Sequence, residues 1–272
     1  MAGKEREDDS TGFTGKRTKS YRELDAQRGV IYEFCLGRGS QYPVKFLGGS
    51  QGPPGAMAQA QPAWQGTLVC DQYGGYDAVL DKRVYPQRIA AHCAAHARRK
   101  FDELLGTSEV AKEAIRRIGW IYHVEGQLAG LDAPQRQAAR DQLTRPLWQE
   151  LHVWLRLERG RVPDGGSIAG AIDYSLNSWP GLTRHLEDGA VPIDNNFIER
   201  QIKPWAMGRK AWLFCGSELA GQRAAIVMSL VQSAKLNGHE PWAYLRDVLE
   251  RLPSHPNSRI EELLPHLWKS AT

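Results

Sequence analysis

The sequence predicts an α/β protein in which short buried strands come first and helices dominate the remainder. Two runs rich in β-branched and aromatic residues, 30–36 (VIYEFCL) and 67–71 (TLVCD), are each closed by a glycine-bearing turn, the pattern of buried strands. From about residue 107 to 188 the apolar residues recur at helical spacing instead. With 272 residues and 42% hydrophobic content, the chain can bury a sizeable core as one large domain or two small ones.

Residues 1–20 are polar, Gly-rich and charged, with too little apolar surface to offset the entropy of ordering them, and are expected to be a disordered start. After the strand at 30–36, QYPVKFLGG predicts a short helix, and SQGPPGAMAQAQPAWQG predicts a Pro/Gly/Ala/Gln loop. The strand at 67–71 ends in YGGY. A third strand, RIAAHC, runs into HARRKFDELL, where Ala97, Phe101, Leu104 and Leu105 mark a helix. Within 107–188, Ile115, Ile118, Ile121 and Tyr122 make one stripe and Leu147, Leu151, Trp154 and Leu155 another, so the block is expected to be an all-helical insertion. A turn at 187–189 precedes Asp194 and Asn195, either of which suits the N-cap of a helix carrying Glu199. GQRAAIVMSLVQSAKLNG predicts a strongly amphipathic helix closed by Asn237 and Gly238, and PWAYLRDVLERL predicts one with proline in its first turn.

Lys plus Arg exceed Asp plus Glu by 35 to 31, a net charge of +4 that is compatible with nucleic acid without requiring it. Local clustering therefore matters more than the total. Cys35, Cys70, Cys93 and Cys215 are scattered without a C-x-x-C pair, the usage of buried thiols in a reducing compartment, and no disulfide is expected. The first residues lack an apolar signal region, and no window approaches the roughly 20 apolar residues of a membrane span, so the expected location is cytoplasmic.

The chemistry concentrates in PIDNNFIERQIKPWAMGRKAWLF, residues 192–214, where Glu199 sits among Arg200, Lys203, Arg209 and Lys210 with Trp205 and Trp212 interleaved. An acid able to hold a divalent cation lies inside a basic, aromatic strip suited to a polyanion. Asp71 ends a strand, so its carboxylate is expected at the C-terminal edge of a sheet, a common place for active sites. Hard cations such as Mg²⁺ take oxygen ligands and retain waters, and two ions roughly 3.5–4 Å apart serve phosphodiester chemistry. Against this, an Asp closing a strand is commonly just a turn residue.

Arg98, Arg99 and Lys100 suit phosphate contacts, although a solvated helix face explains them equally well. Trp205 and Trp212 suit either stacking on unpaired bases or packing in a core. Asp194, Asn195 and Asn196 read as caps that orient the Glu199 helix. Cys93 and His96 form a C-x-x-H pair, with His92 one turn before His96, but zinc needs three or four ligands and no second pair is spaced to supply them. Packing at the site is the expected role of the pair. Gly74 and Gly75 fit no nucleotide-binding pattern, and Ser229, Ser233 and the eight histidines suggest no nucleophile and base arrangement.

The long segment from PIDNNFIERQIKPWAMGRKAWLF through PWAYLRDVLERL resembles the C-terminal catalytic segment of IS66-family transposases. GTLVCDQYGGYDAVL is similar to that family's strand bearing the second catalytic Asp, and HCAAHARRKFDEL is similar to its following Cys/His and basic helix. The resemblance covers about residues 21–268. It implies a DDE transposase with a ribonuclease-H-like fold, Mg²⁺ or Mn²⁺ as cofactor, and two Asp and one Glu for strand cleavage and transfer. By motif, Asp71 matches the second Asp and Glu199 the Glu, while Cys93 and His96 match a Cys/Asp-x-x-His pair that many DDE transposases carry. The implied partners are double-stranded DNA (terminal inverted repeats and target), further copies of the protein on that DNA, and accessory proteins of the same element, with no membrane.

The family's first Asp, on the opening strand in a DET-like motif, has no counterpart in MAGKEREDDSTGFTGKRTKSYRELD, where Asp8 and Asp9 lie in a polar tract. The family's N-terminal DNA-binding, zinc-finger-like and coiled-coil regions have none either. The expectation is a ribonuclease-H-like core with an incomplete first strand, a C-terminal piece of a transposase impaired or inactive by itself. The rival expectations are a non-catalytic DNA-binding or dimerising remnant, and a general ribonuclease-H-like nuclease with no terminal-repeat preference.

Overall fold

The computed structural model describes residues 29–48, 64–212 and 215–270. The start expected to be disordered and most of the Pro/Gly/Ala/Gln loop lie outside these residues. Helix α1 (Gln41–Phe46) precedes strand β1 (Gly66–Cys70), and a 3-10 turn (Gly74–Tyr76) with α2 (Asp77–Leu80) leads to β2 (Arg88–His92) and α3 (Ala94–Asp102). Next come α4 (Glu109–Gln127), α5 (Ala133–Ala139), a π-helical turn (Arg140–Thr144), α6 (Arg145–Arg159), α7 (Ser167–Asn177) and α8 (Trp179–Leu182). The order closes with α9 (Asn196–Trp212), α10 (Glu218–Leu236), α11 (Pro241–Arg251) and 3-10 turns at Leu252–Ser254 and Asn257–Leu263. The fold is mixed α/β and mostly helical, and its sheet among the described residues is two parallel strands.

The chain divides into two compact units. The first is Gln65–Asn196. Its strands pair in register from Gly66 with Arg88 to Cys70 with His92, so both finish at the same edge. Parallel strands need a crossover, which the segment containing α2 provides. Two strands alone are marginal in water, and here helices carry the core: Phe101, Ile118, Ile121, Trp148, Leu151, Leu155 and Ile172 are buried together. Full burial of each such side chain is worth about 1.5–3 kcal/mol. Ile118 and Ile121 on α4 and Leu151 and Leu155 on α6 follow the spacing that predicts helices there. Arg140 is 2% exposed and pairs with Glu125 at 2.8 Å, while its guanidinium also donates to the carbonyls of His185, Asp188 and Val191. A buried cation is tolerable because every direction of the fork meets an acceptor.

The second unit joins the described residues up to Trp64 with those from Phe197 onward. The strand expected at 30–36 is absent among the described residues, although Val30 and Tyr32 are buried on either side of exposed Ile31. Its main chain pairs with a helix instead. The Val30 amide donates to Ser233 Oγ at 2.9 Å, Ser233 Oγ donates back to the Val30 carbonyl at 3.1 Å, and the Tyr32 amide donates to Ser229 Oγ at 2.8 Å. Serine hydroxyls one helical turn apart thus replace the ladder of a neighbouring strand.

This explains why α10 is not the strongly amphipathic helix expected. It buries Gly221, Ala225, Gln232, Ser233 and Ala234 and exposes Leu219, Ile226 and Val227, because small and hydroxyl-bearing residues admit the extended segment. A Cβ on Gly221 would lie 2.7 Å from the Phe34 ring. α10 ends as expected at Asn237 and Gly238, the latter at φ +76°. Proline opens α11, and a second apolar cluster of Ala234, Tyr244, Val248 and Leu263 ties α10, α11 and the last turn together. None of the helices among the described residues is long and apolar enough to cross a membrane. Cys35, Cys70 and Cys93 are buried and Cys215 is half-buried.

Candidate active site

Asp71 is the first residue beyond β1, half-buried, and the chain turns there. Its Oδ1 accepts the Tyr73 amide at 3.3 Å, the side-chain-to-backbone bond of an Asx turn. Next to it, Gln72 Nε2 donates to Ser178 Oγ at 2.6 Å and to the Tyr174 carbonyl at 3.1 Å, both at the C-terminal end of α7. His92 finishes β2 at the same edge. Burial holds its imidazole below the usual histidine range, opposed by a backbone bond with Ser178 and by the Asp71 charge. α8 approaches closely at Gly181, where a Cβ would lie 2.4 Å from His92 Nδ1, so only glycine fits.

Cys93 begins the corner between β2 and α3, and its amide donates to the Cys70 carbonyl at 3.0 Å. Burial pushes its thiol up, which disfavours the thiolate a soft metal would require. Its sulfur accepts the Asn195 amide at 3.4 Å, and the Ala94 amide donates to the Ile193 carbonyl at 3.1 Å. The C-x-x-H corner therefore fastens residues 193–195. His96 is half-buried on the first turn of α3.

Asp194 is the hub of that segment. Its Oδ1 accepts the Asn196 amide at 2.9 Å, and its Oδ2 accepts Asn196 Nδ2 at 2.7 Å and the Tyr122 hydroxyl at 2.9 Å. The first amide of α9 is thereby satisfied by Asp194, two residues back, while buried Asn195 has its own amide on Cys93. Burial first, then the Asp194 charge, pushes the Tyr122 phenol well above its usual range, so it remains a donor. Glu199 lies in the first turn of α9, half-buried, where a carboxylate is favoured by the helix dipole. Pro204 interrupts the amide ladder farther along.

Asp71, Cys93, His96, Asp194, Asn195 and Asn196 belong to one unit, and Glu199, Arg200, Lys203 and Trp205 to the other. Within either unit, no group of three or more His, Cys, Asp or Glu side chains is gathered to hold a metal among the described residues. Single carboxylates at element ends are nevertheless the ligands that a hard, water-retaining cation uses. Asp71, partly open to solvent with its Oδ1 fixed by the turn, fits that description; buried Cys93, whose burial disfavours the thiolate, does not fit a thiolate site.

Of the cations, Arg99 and Lys100 are exposed in the last turn of α3, and Lys100 Nζ lies 5.3 Å from the Tyr174 ring centre. Arg98 is half-buried, 3.8 Å from Asp102. Arg200 and Lys203 are exposed. Trp205 corrects an expectation: it is 5% exposed and packs edge to face on Tyr32 with ring centres 5.8 Å apart, beside Val30 and Ile198. Its ring is core, and no base can reach it to stack. The side chains of Arg209, Lys210 and Trp212 lie outside the described residues.

Gln72, Ser178 and Tyr122 shape this edge and were not singled out by sequence. Tyr122 reads as one more apolar residue of the α4 stripe, and the only hint was that a buried phenol needs a partner. Nothing in the sequence identifies Asp194 as that partner.

Comparison with known proteins is decisive at the level of family. The model of the Transposase IS66 family matches residues 4–223, and that of the IS66 C-terminal element matches residues 229–266. The chain is 34% identical over 259 residues to "Uncharacterized protein y4hP" of Sinorhizobium fredii (strain NBRC 101917 / NGR234), covering 89% of this chain and 44% of that protein. It is 36% identical over 216 residues to "Uncharacterized protein y4jD" of the same organism, covering 76% and 42% respectively. The chain spans less than half the length of these relatives. No solved structure matches. The chain belongs to the IS66 family of transposases.

Proposed function

We propose that this chain carries the acid-bearing region of a DDE-type DNA transposase with a ribonuclease-H-like core, acting on terminal inverted repeats and target DNA. The observation that carries the proposal is the family match across residues 4–223, a span containing a strand-end acid, Asp71, and a first-turn helix acid, Glu199. Asp71 and Glu199 would hold Mg²⁺ or Mn²⁺. Such an ion, when bound, supplies Lewis-acid activation of the attacking oxygen and stabilisation of the leaving one. The protein's own part is to fix the carboxylates and to hold the phosphodiester backbone. For Asp71 that fixing rests on the Tyr73 amide and the turn after β1. Arg99 and Lys100 on α3, with half-buried Arg98 beside them on the same helix, and separately Arg200 and Lys203 on α9, are cations suited to phosphate oxygens. Arg209, Lys210 and Trp212 continue the sequence strip around Glu199 and are proposed to contact DNA with Arg200 and Lys203.

A second reading is a DNA-holding subunit that does not cleave, and the exposed cations Arg99, Lys100, Arg200 and Lys203 favour it, because they need no metal to meet phosphate oxygens. Titration calorimetry with Mn²⁺ separates the two. The first reading expects uptake that is abolished or strongly weakened by Asp71→Asn and by Glu199→Gln. Absence of uptake at millimolar Mn²⁺, with DNA binding retained, would overturn it in favour of the second.

A further inference from the structure

The helical block does more at this edge than fill a core. Three constraints act on the turn that carries Asp71. The register of β1 with β2 fixes the chain up to Cys70, and the Tyr73 amide fixes Asp71 Oδ1. The third comes from across the unit, where the Gln72 amide reaches the α7–α8 corner, 106 residues away in sequence. Ser178 there is 4% exposed, and its hydroxyl proton goes to the Tyr174 carbonyl at 2.8 Å. Its oxygen is left to accept from Gln72, and the second hydrogen of the same amide meets the Tyr174 carbonyl directly. Both donors of one side chain are thus spent on one rigid corner. The neighbouring close fit of Gly181 on His92 holds that corner against the end of β2.

We infer that Gln72 is a positioning residue for Asp71, and that Ser178 is the anchor through which the helical block sets the direction of that carboxylate. The inference rests on the reading of Asp71 as a metal ligand. Groups that orient a ligand without touching the metal are typically worth about 10-fold or more in metal affinity. Gln72 is half-buried and contributes nothing to the apolar core, so its truncation should leave the fold intact.

The test uses the full chain and Mn²⁺ alone, with bound ion followed by electron paramagnetic resonance and folding by thermal melt. Gln72→Ala is expected to weaken Mn²⁺ binding about 10-fold with little change in melting temperature. Ser178→Ala should weaken it in the same direction, and the double variant should bind no more weakly than Gln72→Ala, because the two side chains act as one unit. Parental affinity in Gln72→Ala, or independent additive losses in the double variant, would overturn the inference while Asp71→Asn still abolished uptake. If Asp71→Asn bound Mn²⁺ as the parent does, the assignment of Asp71 would fall and the positioning role with it.

Discussion

His185 shows how much one buried ring can contribute to the pH response of this protein. It is 2% exposed, its Nδ1 bonds the Leu182 carbonyl at 2.9 Å, and its ring meets Trp148 edge to face. Burial, and then the Arg140 guanidinium, push its pKa from 6.5 down to about 3. Folded, the imidazole stays neutral, whereas the unfolded chain takes up the proton near the ordinary value. Between those two values the unfolded state binds more protons, so stability is full above about pH 6.5 and is lost as the pH falls toward 3. On going from about pH 7.5 to about pH 5, His185 should cost roughly 2 kcal/mol of stability. Denaturant melts at the two pH values should show that loss diminished in His185→Gln; an equal loss in both proteins would refute the assignment. At this scale sequence reading succeeds where local geometry decides. Asp71 was legible because an apolar run must end somewhere, and the first polar residue beyond it projects from the sheet edge. Trp205 was not, because α9 carries cations on both sides of it and its burial depends on Tyr32, 173 positions earlier.

At the scale of elements, the instructive case is the segment at 30–36. A β-branched and aromatic run was visible in VIYEFCL and Val30, Tyr32 and Cys35 are buried, yet such a run says only that one face is covered. It cannot say whether the partner is a strand or a helix. Here the partner is α10, and what recruits it is a pair of serines that read in sequence as ordinary helix positions. Ser233 both accepts from and donates to Val30, so Ser233→Ala strands a buried amide and a buried carbonyl at once. The expected cost is about 1–3 kcal/mol. Amide hydrogen exchange should report it locally, with faster exchange at Val30 and Tyr32 and little change in α6 or α7. Exchange that accelerates uniformly, or not at all, would show that the serine clasp does not hold the segment. The helical stretch from α4 to α8 was legible for the opposite reason: α-helices satisfy their own amides, so apolar spacing along α4 and α6 was sufficient.

For the whole molecule, the family match runs through both compact units, but the units are built differently along the chain. Gln65–Asn196 is one uninterrupted segment, and its core of Phe101, Ile118, Ile121, Trp148, Leu151, Leu155 and Ile172 comes entirely from within it, as does the buried pair of Arg140 with Glu125. The other unit is assembled from two distant segments, and α10 presents Ser233 and Gly221 to residues near the start of the described chain. This division was not legible in the sequence, where apolar spacing marked only a helical block of about 107–188, whereas the compact unit takes in the strands before it and runs from Gln65 to Asn196. Different folding behaviour should follow. A protein of residues 65–196 alone should show native-like near-ultraviolet circular dichroism and a single cooperative thermal transition, since every partner of its core side chains is present. A protein of residues 197–272 alone should not. It leaves the hydroxyls of Ser229 and Ser233 and the face around Gly221 without Val30, Tyr32 and Phe34, and should become cooperative only when a peptide of residues 29–48 is added. A non-cooperative melt of the first fragment, or a cooperative one of the second without the peptide, would contradict this account of the two units.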